Sequence, residues 1–332
     1  MSPQNSSIYP KGSPPGFDEV GHRLTVRLHD PEGGFRDIVG VLESETSIRK
    51  RDGSLIQFNP HEIAVWRVII PPADRAGAGS PLSLRIRDIE LAANATWPAQ
   101  EQVPLGDWTL RASGKFTKRA NSALAIGNPG VNLDVAIDKV IEFYNSRGLT
   151  PTFHVALPTY IELGRRLEER DWHSDISVHV MVADIDEVIH KSPLKNSDVD
   201  NKVEITDVPS EEWIELQNDH GVFEIMTRSP ARYAAIRKDA RIIAVARAAN
   251  YESWAVLSRL YVHPDARGKG LAQDLIDSLL FDARMLGATK VALQVDSKNF
   301  SAIALYEKMG FRLHHTYEYF SFTPEATKSG EC

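Results

Sequence analysis

The stretch "SRLYVHPDARGKGLAQDLIDSLL", residues 258–280, is the most informative part of this sequence. Its apolar run "LYV" ends at His-Pro, Gly268 and Gly270 follow, and apolar residues then recur at helical spacing. This order predicts a strand, a tight turn and a helix. The first amides of a helix have no intrahelical partner and glycine allows close approach, so such a turn can hold a phosphate. Arg267 and Lys269 would add positive charge. The loop matches neither of the glycine-rich nucleotide-binding patterns GxxxxGK(S/T) and GxGxxG, so an ordinary basic turn is the alternative.

Composition and charge restrict the class of protein. The chain has 332 residues, enough for two or three domains, of which 42% are hydrophobic and 25% charged. Its net charge of −7 argues against a non-specific nucleic-acid or membrane-surface binder, which needs a basic face. The single cysteine, Cys332, allows no disulfide within the chain, and no segment is apolar enough for export or a membrane span. We therefore expect a cytoplasmic protein with no membrane partner.

The beginning of the chain predicts a small all-β domain. After a polar stretch over 1–16 that we expect to be disordered, alternating apolar residues predict four or five short strands over 17–70. Asp52-Gly53 lies between two of these runs and predicts a hairpin. The pattern resembles that of SH3-like barrels. Residues 71–81, rich in proline, glycine and alanine, predict a linker.

The rest of the chain predicts one pattern of elements twice. Each pass has a helix, a strand, a short helix and a strand, and 24 residues separate Gly148 from Trp172 and Gly287 from Phe311. The order and spacing indicate a tandem duplication. The expected boundaries are 82–195 for the first copy, 200–322 for the second and 323–332 for a C-terminal tail.

The second copy resembles the GNAT superfamily of N-acetyltransferases. Its loop follows the order Arg/Gln-x-x-Gly-x-Gly/Ala, and the strand ending in Val-x-Pro, the helix, the next strand and "ALYEKMGF" occur in the family's order over 200–322. The resemblance implies an α/β fold with mixed sheets, here two tandem GNAT folds after a small all-β barrel. This tandem GNAT arrangement is similar to that of mycothiol synthase and of a group of actinobacterial GNAT proteins. The resemblance also implies acetyl-CoA as donor substrate, an amine acceptor and no metal.

Individual residues take roles from this resemblance. Backbone groups of a strand splayed from its neighbour would bind the pantetheine arm, amides of the loop would bind the pyrophosphate, and Asn299 would contact the cofactor arm. Tyr306 matches the tyrosine that faces the CoA sulfur, where a phenol can act as general acid. The residues expected to bind acetyl-CoA are Leu260, Tyr261, Val262, Arg267, Gly268, Lys269, Gly270, Leu271, Ala272 and Asn299.

The expected chemistry is direct transfer. A neutral amine would attack the thioester, with the oxyanion stabilised by a backbone amide near Val262. The strand before the loop carries no acidic residue, which leaves the general base unassigned. Glu224, Glu252 and His263 are candidates, each of which also reads as a surface group, and a water chain is another possibility.

The first copy departs from the family pattern. Its loop reads "GNPGVN", in which Pro129 removes an amide donor, and Leu167 or Glu168 stands in the place of the acid tyrosine. We expect this copy to be inactive, to pack against the second copy and to shape the acceptor cleft. Candidates for lining that cleft are Trp108, Arg111, Phe116, Arg119 and Asn121.

Three functions follow. The first is an acetyl-CoA-dependent N-acetyltransferase. The second is an acetyl-CoA-binding sensor or scaffold without turnover, and the third is a protein acetyltransferase recruited through the N-terminal barrel, which would bind a protein partner. The acceptor stays open between a metabolite, an antibiotic, a thiol precursor and a lysine side chain.

Overall fold

The computed structural model divides the chain into two compact units, residues 1–74 and 75–332. No helix of the described residues is long and apolar enough to cross a bilayer. The predicted tail over 323–332 lies outside the described residues, as do residues 1–13 of the predicted tail over 1–16 and parts of the predicted linker. The structure describes residues 14–16, 20–21, 23–31, 33–50, 53–68, 76–77, 79–114, 117–191, 202–217 and 220–322.

The N-terminal unit contains a five-stranded antiparallel sheet in the order β4-β3-β2-β1-β5. Alternation along the first strand buries Leu24, Val26 and Leu28 completely. The predicted hairpin joins β3 to β4, where the Lys50 amide donates to the Ser54 carbonyl oxygen at 2.8 Å; Asp52 lies outside the described residues. The strands are β1 (Arg23–His29), β2 (Phe35–Ser44), β3 (Ser47–Arg49), β4 (Leu55–Gln57) and β5 (Ile63–Val68).

This N-terminal sheet is open. Its edge strands β4 and β5 do not pair with each other in the part of the unit that the structure describes. Closure into a barrel requires that pairing, because a barrel leaves no free edge. An all-β unit is therefore present, but the predicted SH3-like barrel is not confirmed.

The second unit is α/β, and its two halves repeat the same order of elements. The first half consists of α1 (Leu82–Ala95), β6 (Glu101–Leu105), β7 (Trp108–Ala112), β8 (Ala123–Leu124), α2 (Leu133–Asn145), β9 (Thr152–Leu157), α3 (Ile161–Glu168) and β10 (His173–Asp184). The helix α4 (Ile185–Lys191) follows. The second half consists of β11 (Val203–Thr206), α5 (Glu211–Gln217), α6 (Phe223–Met226), β12 (Arg232–Lys238), β13 (Arg241–Tyr251), β14 (Trp254–Val262), α7 (Leu271–Met285), β15 (Lys290–Asp296), α8 (Phe300–Met309) and β16 (Arg312–Ser321).

These strands form one eleven-stranded mixed sheet in the order β11-β12-β13-β14-β15-β10-β16-β9-β8-β7-β6. In each half one parallel pair precedes the short helix: β8 with β9, and β14 with β15. The last strand of each half pairs with the other half, because β10 pairs with β15 and β16 pairs with β9. The predicted boundary between 195 and 200 therefore divides the sequence, whereas the sheet is continuous across the two copies.

Helices cover both faces of this sheet. Successive strand residues point to opposite faces. Along β14, Trp254 and Val256 belong to the core that contains α1, whereas Ala255 and Leu257 belong to the core that contains α7 and α8. The same alternation in β9 places α2 opposite α1, since Phe153 packs with α2 and Ala156 packs with α1. The α1 face and the α7 face are thus two distinct sides of the sheet.

Candidate active site

The parallel strands β14 and β15 separate partway along their length. Residues Trp254–Leu257 pair with Lys290–Leu293, and the pairing ends there. Beyond that point β14 follows β13 as far as Val262, while β15 continues against β10. A gap therefore opens at Ser258 and Gln294. This is the separation that the sequence resemblance implies for the strand before the loop.

A bulge accompanies the separation. Ser258 opposes Arg247 and Tyr261 opposes Val245, so two residues of β14, Arg259 and Leu260, face one residue of β13. Arg259 has a φ of 58°, a conformation that few residues other than glycine adopt. A bulge bends its strand and increases the local twist, which directs β14 away from β15.

Strand alternation determines which backbone groups face the gap. The His263 amide donates to the Ile243 carbonyl oxygen at 2.8 Å, so the groups of His263 point to β13. In an antiparallel pair these directions alternate, which points Tyr261 to β13 and Val262 to the gap. The Val262 carbonyl oxygen accepts from Arg267 Nε at 3.1 Å. Of the three strand residues expected to bind the pantetheine arm, Val262 thus has the suitable backbone orientation, and Leu260 lies in the bulge.

The loop after β14 presents a row of backbone amides. The Arg267 amide donates to the Pro264 carbonyl oxygen at 3.2 Å, so of the residues in this loop Arg267 has only its side chain available to a ligand. The next five amides, residues 268–272, have no acceptor among the described residues. Gly268 and Gly270 have φ values of 75° and 83°, and a Cβ at either position would meet no atom within 4 Å. These five amides therefore lie open at the positive end of α7, an arrangement that can bind an anion, and we call this loop the cradle.

Two basic side chains flank this cradle. Lys269 Nζ donates to the Asp265 carbonyl oxygen at 3.3 Å, and Arg267 is held on the Val262 carbonyl oxygen. Both residues are exposed. In the described part of the chain neither side chain is paired with a carboxylate, so their charges add to the positive potential at the amides.

Asn299 is the N-cap residue of α8. Its side-chain oxygen accepts from the Ala302 amide at 3.2 Å and from Ser301 Oγ at 3.1 Å. Ser, Asn and Asp are preferred at this position because they satisfy a helix amide that has no other partner. Only the amide NH₂ group of Asn299 is left to contact a cofactor arm.

Tyr306 lies on α8 in the core of the second half. Its side chain is buried, and its ring centroid lies 5.8 Å from that of Phe311. The hydroxyl has no hydrogen-bond partner within the described residues. Burial raises the pKa of Tyr306 to about 12, because the phenolate would lack solvation. The side chain is therefore a protonated donor at neutral pH.

The three candidate bases are not equivalent. Glu252 precedes Ser258 by six residues, about 20 Å along a strand, and is far from the gap. Glu224 is exposed on α6, 3.9 Å from Arg228. His263 lies at the end of β14, where its Nδ1 accepts from the Asp265 amide at 3.4 Å. No group of three metal-ligating side chains is placed to hold an ion in the described ranges.

The corresponding loop of the first half is closed by its own side chains. The Gly127 amide donates to the Tyr160 hydroxyl at 2.8 Å, and the Asn128 amide donates to Asp107 Oδ2 at 2.9 Å. The Gly130 amide donates to Asn128 Oδ1 at 2.8 Å. A carboxylate thus occupies the region where a phosphate would bind. Leu167 is buried on α3 and Glu168 is exposed there.

Most residues expected to line the acceptor cleft have structural contacts. Trp108 Nε1 donates to the Gly127 carbonyl oxygen at 3.2 Å, and Arg111 is buried against Ser122. Asn121 bonds to the backbone of Ser113 and Thr117, and Phe116 lies outside the described residues. Arg119 is half-buried and contacts the ring of Trp97, which it shares with Arg247 beside Ser258. Sequence reasoning missed Arg247, Ser258 and Gln294, which only the register of β13, β14 and β15 brings together.

Comparisons with known proteins point to one family. Residues 84–320 match the family described as the C-terminal region of the probable histone acetyltransferase Rv0428c. Over 322 residues the chain is 28% identical to the probable histone acetyltransferase Rv0428c of Mycobacterium tuberculosis, covering 90% of this chain and 94% of that protein. A GCN5-related N-acetyltransferase from Kribbella flavida has a TM-score of 0.57 at 15% identity, covering 74% of this chain and 96% of that one. A tandem GNAT protein from the clavulanic acid biosynthesis pathway has a TM-score of 0.50 at 12% identity, covering 75% and 89%. The solved structures show a GNAT fold; a specific resemblance to mycothiol synthase is not confirmed.

Proposed function

This chain belongs to the family of the C-terminal region of the probable histone acetyltransferase Rv0428c and is an N-acetyltransferase, and we propose that its second half transfers acetyl groups from acetyl-CoA directly to a primary amine. The observation that carries the proposal is the open row of amides at residues 268–272, placed directly after the gap between β14 and β15. In the first half, the amides of Gly127, Asn128 and Gly130 already donate to side chains, so the described residues there offer no such open row. The proposed reaction is therefore confined to the second half.

The parts of the site divide the work between binding and chemistry. Acetyl-CoA supplies an acetyl group activated as a thioester. The cradle amides, with Arg267 and Lys269, bind the diphosphate, and the gap beside Val262 accepts the pantetheine arm as an added strand. The amide of Val262 points into the gap, where it can stabilise negative charge on a carbonyl oxygen.

Tyr306 supplies the proton for the leaving thiolate. Its buried hydroxyl is protonated at neutral pH and has no competing acceptor in the described part of the chain. A positioned acid of this kind contributes roughly 10²–10⁴ in rate. Among the described residues no carboxylate contacts Ser258, Gln294 or Val262, so we propose that a protonated amine first loses a proton to water. After the amine attacks and CoA leaves as the thiol, the remaining extra proton on nitrogen returns to Tyr306 and the amide forms.

A second candidate acceptor is a lysine of a protein. The relative named a histone acetyltransferase aligns over 322 residues, which is more than the second unit contains, so the likeness includes part of the N-terminal unit. Under this alternative the N-terminal unit would recruit the protein that is acetylated. The N-terminal unit and the acceptor site would then have to act on one molecule.

The proposal is tested by separating binding from turnover. Acetyl-CoA is titrated into the full-length protein by calorimetry, and thiol release is then followed with small amines and with a lysine-containing histone-tail peptide. Binding together with amine-dependent thiol release and an N-acetylated product is the expected result. Binding without release on any amine would favour a sensor, and absence of binding would refute the cradle.

A further inference from the structure

A group of polar and aromatic side chains lies at the opening of the gap on the α1 face of the sheet. Ser258 and Gln294 are the first residues of β14 and β15 beyond their pairing, and alternation points both toward the α1 face. Arg247 Nη1 contacts Ser258 Oγ at 3.4 Å, and the Tyr317 hydroxyl donates to Gln294 Oε1 at 3.2 Å. We call this group the gap cluster; its members are Trp97, Arg119, Arg247, Ser258, Gln294 and Tyr317.

Two guanidinium groups of this cluster share one indole ring. The guanidinium of Arg119 lies 5.6 Å from the ring centroid of Trp97, and that of Arg247 lies 5.4 Å from it. Arg247 is buried, and its described acceptors are neutral oxygens: the carbonyls of Thr96 at 3.0 Å and Met226 at 2.9 Å and the hydroxyls of Ser229 and Ser258. A buried cation without an anion costs free energy of desolvation. A negative charge bound near these two guanidinium groups would therefore be stabilising.

Arg119 has no such partner among the residues that the structure describes. It is half-buried, and none of the described residues gives its guanidinium a carboxylate or a hydrogen-bond acceptor. The nearby acids are already engaged: Asp175 pairs with Lys118, and Glu90 contacts His154 and His315. The indole N–H of Trp97 is also buried without an acceptor among the described residues. The guanidinium of Arg119 and the indole N–H of Trp97 are therefore two neighbouring donors for which the described residues supply no acceptor.

The cluster lies opposite the donor site. Tyr306 and α7 belong to the core on the α7 face. In the gap cluster, Tyr317 belongs to the core that contains α1, and Trp97 packs in a neighbouring core with α5 and α6. The gap between β14 and β15 joins the two faces. A molecule held at the gap cluster can therefore reach a thioester that enters the gap from the α7 side.

We propose that the gap cluster binds the carboxylate of the acceptor, so that the acceptor is a primary amine carrying one carboxylate group, with Arg119 as the residue that binds it. This inference rests on the proposed acetyltransferase function. The planar guanidinium matches a carboxylate in two parallel hydrogen bonds. One accessible cation without a partner matches one negative charge, and Asp175 and Glu90 would oppose a second, which disfavours a phosphate.

The test compares amines that differ only in the carboxylate. Thiol release is measured with ω-amino acids of two to six carbons and with unbranched alkylamines of the same length. We expect kcat/KM for the best acid to exceed that of its alkylamine by about tenfold or more, the worth of one charge-assisted hydrogen bond. In Arg119→Gln the preference should fall to about twofold through a higher KM, with acetyl-CoA affinity and melting temperature unchanged.

Two further variants control this test. Arg119→Lys keeps the charge and should retain part of the preference. Arg165→Gln removes an exposed arginine of α3, paired with Glu162 at 2.7 Å, and should leave the preference unchanged. Equal rates for acids and alkylamines in the wild type, or an unchanged preference in Arg119→Gln, would refute the inference, as would faster turnover of a lysine peptide that lacks acidic residues.

The inference and the proposed function can fail separately. If acetyl-CoA does not bind or no amine is acetylated, the proposed function fails. The same amino acids are then titrated into the protein by calorimetry, with and without CoA. Heat that disappears in Arg119→Gln supports a carboxylate site, and absence of heat refutes it.

Discussion

Gly270 and Gly287 lie at the two ends of α7 with similar backbone conformations, φ values of 83° and 95°. A Cβ at either position meets no protein atom within 4 Å, so a side chain at Gly270 would project only into the space of the cradle. We predict that Gly270→Val lowers acetyl-CoA affinity at least about 100-fold, because the side chain blocks the approach of the diphosphate to the amides. Calorimetric titration measures this loss.

Gly287→Val is the matched control for this change. Both variants force a branched residue into the left-handed region, which costs about 1–3 kcal/mol of stability in each. Only the variant at the N-terminal end of α7 should lose affinity. Equal affinities in the two variants would show that the cradle does not bind acetyl-CoA.

Tyr306 and Tyr144 are both buried, but their hydroxyls differ in hydrogen bonding. The Tyr144 hydroxyl exchanges hydrogen bonds with the backbone of Arg111 at 3.0 and 3.3 Å, whereas that of Tyr306 has no partner in the described residues. Tyr306→Phe should therefore keep stability and acetyl-CoA affinity but lower kcat about 100-fold. Tyr144→Phe should lower the free energy of unfolding by about 1 kcal/mol and keep kcat. Single-turnover thiol release and urea unfolding distinguish the two outcomes; an unchanged kcat in Tyr306→Phe would remove its role as acid.

At the scale of elements, Asn299 at the start of α8 can serve both as helix cap and as cofactor contact. Its side-chain oxygen caps the helix, and its NH₂ group is free to contact a cofactor. Asn299→Ser keeps a capping oxygen and removes the NH₂ group, whereas Asn299→Ala removes both. We predict that Ala lowers stability by about 1 kcal/mol and Ser does not, while both weaken acetyl-CoA binding. Normal binding by the Ser variant would make Asn299 a cap only, as shown by calorimetry beside thermal unfolding.

The elements around residues 258–280 could be predicted because their signals are local. The apolar run, the glycines and the helical spacing fix a strand, a loop and α7 without reference to the rest of the chain. The bulge at Arg259 could not, since it depends on the register between β13 and β14. The engaged amide of Arg267 likewise depends on a short turn at Pro264 that the family pattern does not specify.

At the scale of the whole molecule, spacing predicted the duplication but not its connectivity. Two independent copies and two copies that exchange their last strands have the same order of elements, so no local pattern separates them. The exchange of β10 and β16 becomes visible only in the strand pairing. Closure of the N-terminal sheet depends in the same way on a pairing between strands that are distant in sequence.

The exchange also buries a set of ionisable groups between the copies. Glu90 of α1 lies 2.9 Å from His315 of β16 and 3.3 Å from His154 of β9, and all three are almost fully buried. Burial alone would raise the pKa of Glu90, but the two imidazoles hold it well below its usual range. Burial lowers the pKa of His154, although Glu90 opposes this shift. Burial also lowers the pKa of His314 to about 4.

These shifts predict that acid destabilises the protein from near-neutral pH downward. His154 and His314 bind protons more readily when unfolded, so each contributes stability above a pH of about 6.5 that is lost as the pH falls through the folded pKa, by about 1.4 kcal/mol per pH unit. Glu90 contributes stability that is lost only at lower pH, below its unfolded pKa of about 4.5. His154→Leu, which removes the buried imidazole, should lower the slope of stability against pH by one proton, whereas His61→Gln on the exposed surface should not. Urea unfolding between pH 7.5 and 5 measures the slope; a flat profile in the wild type would contradict a neutral buried His154.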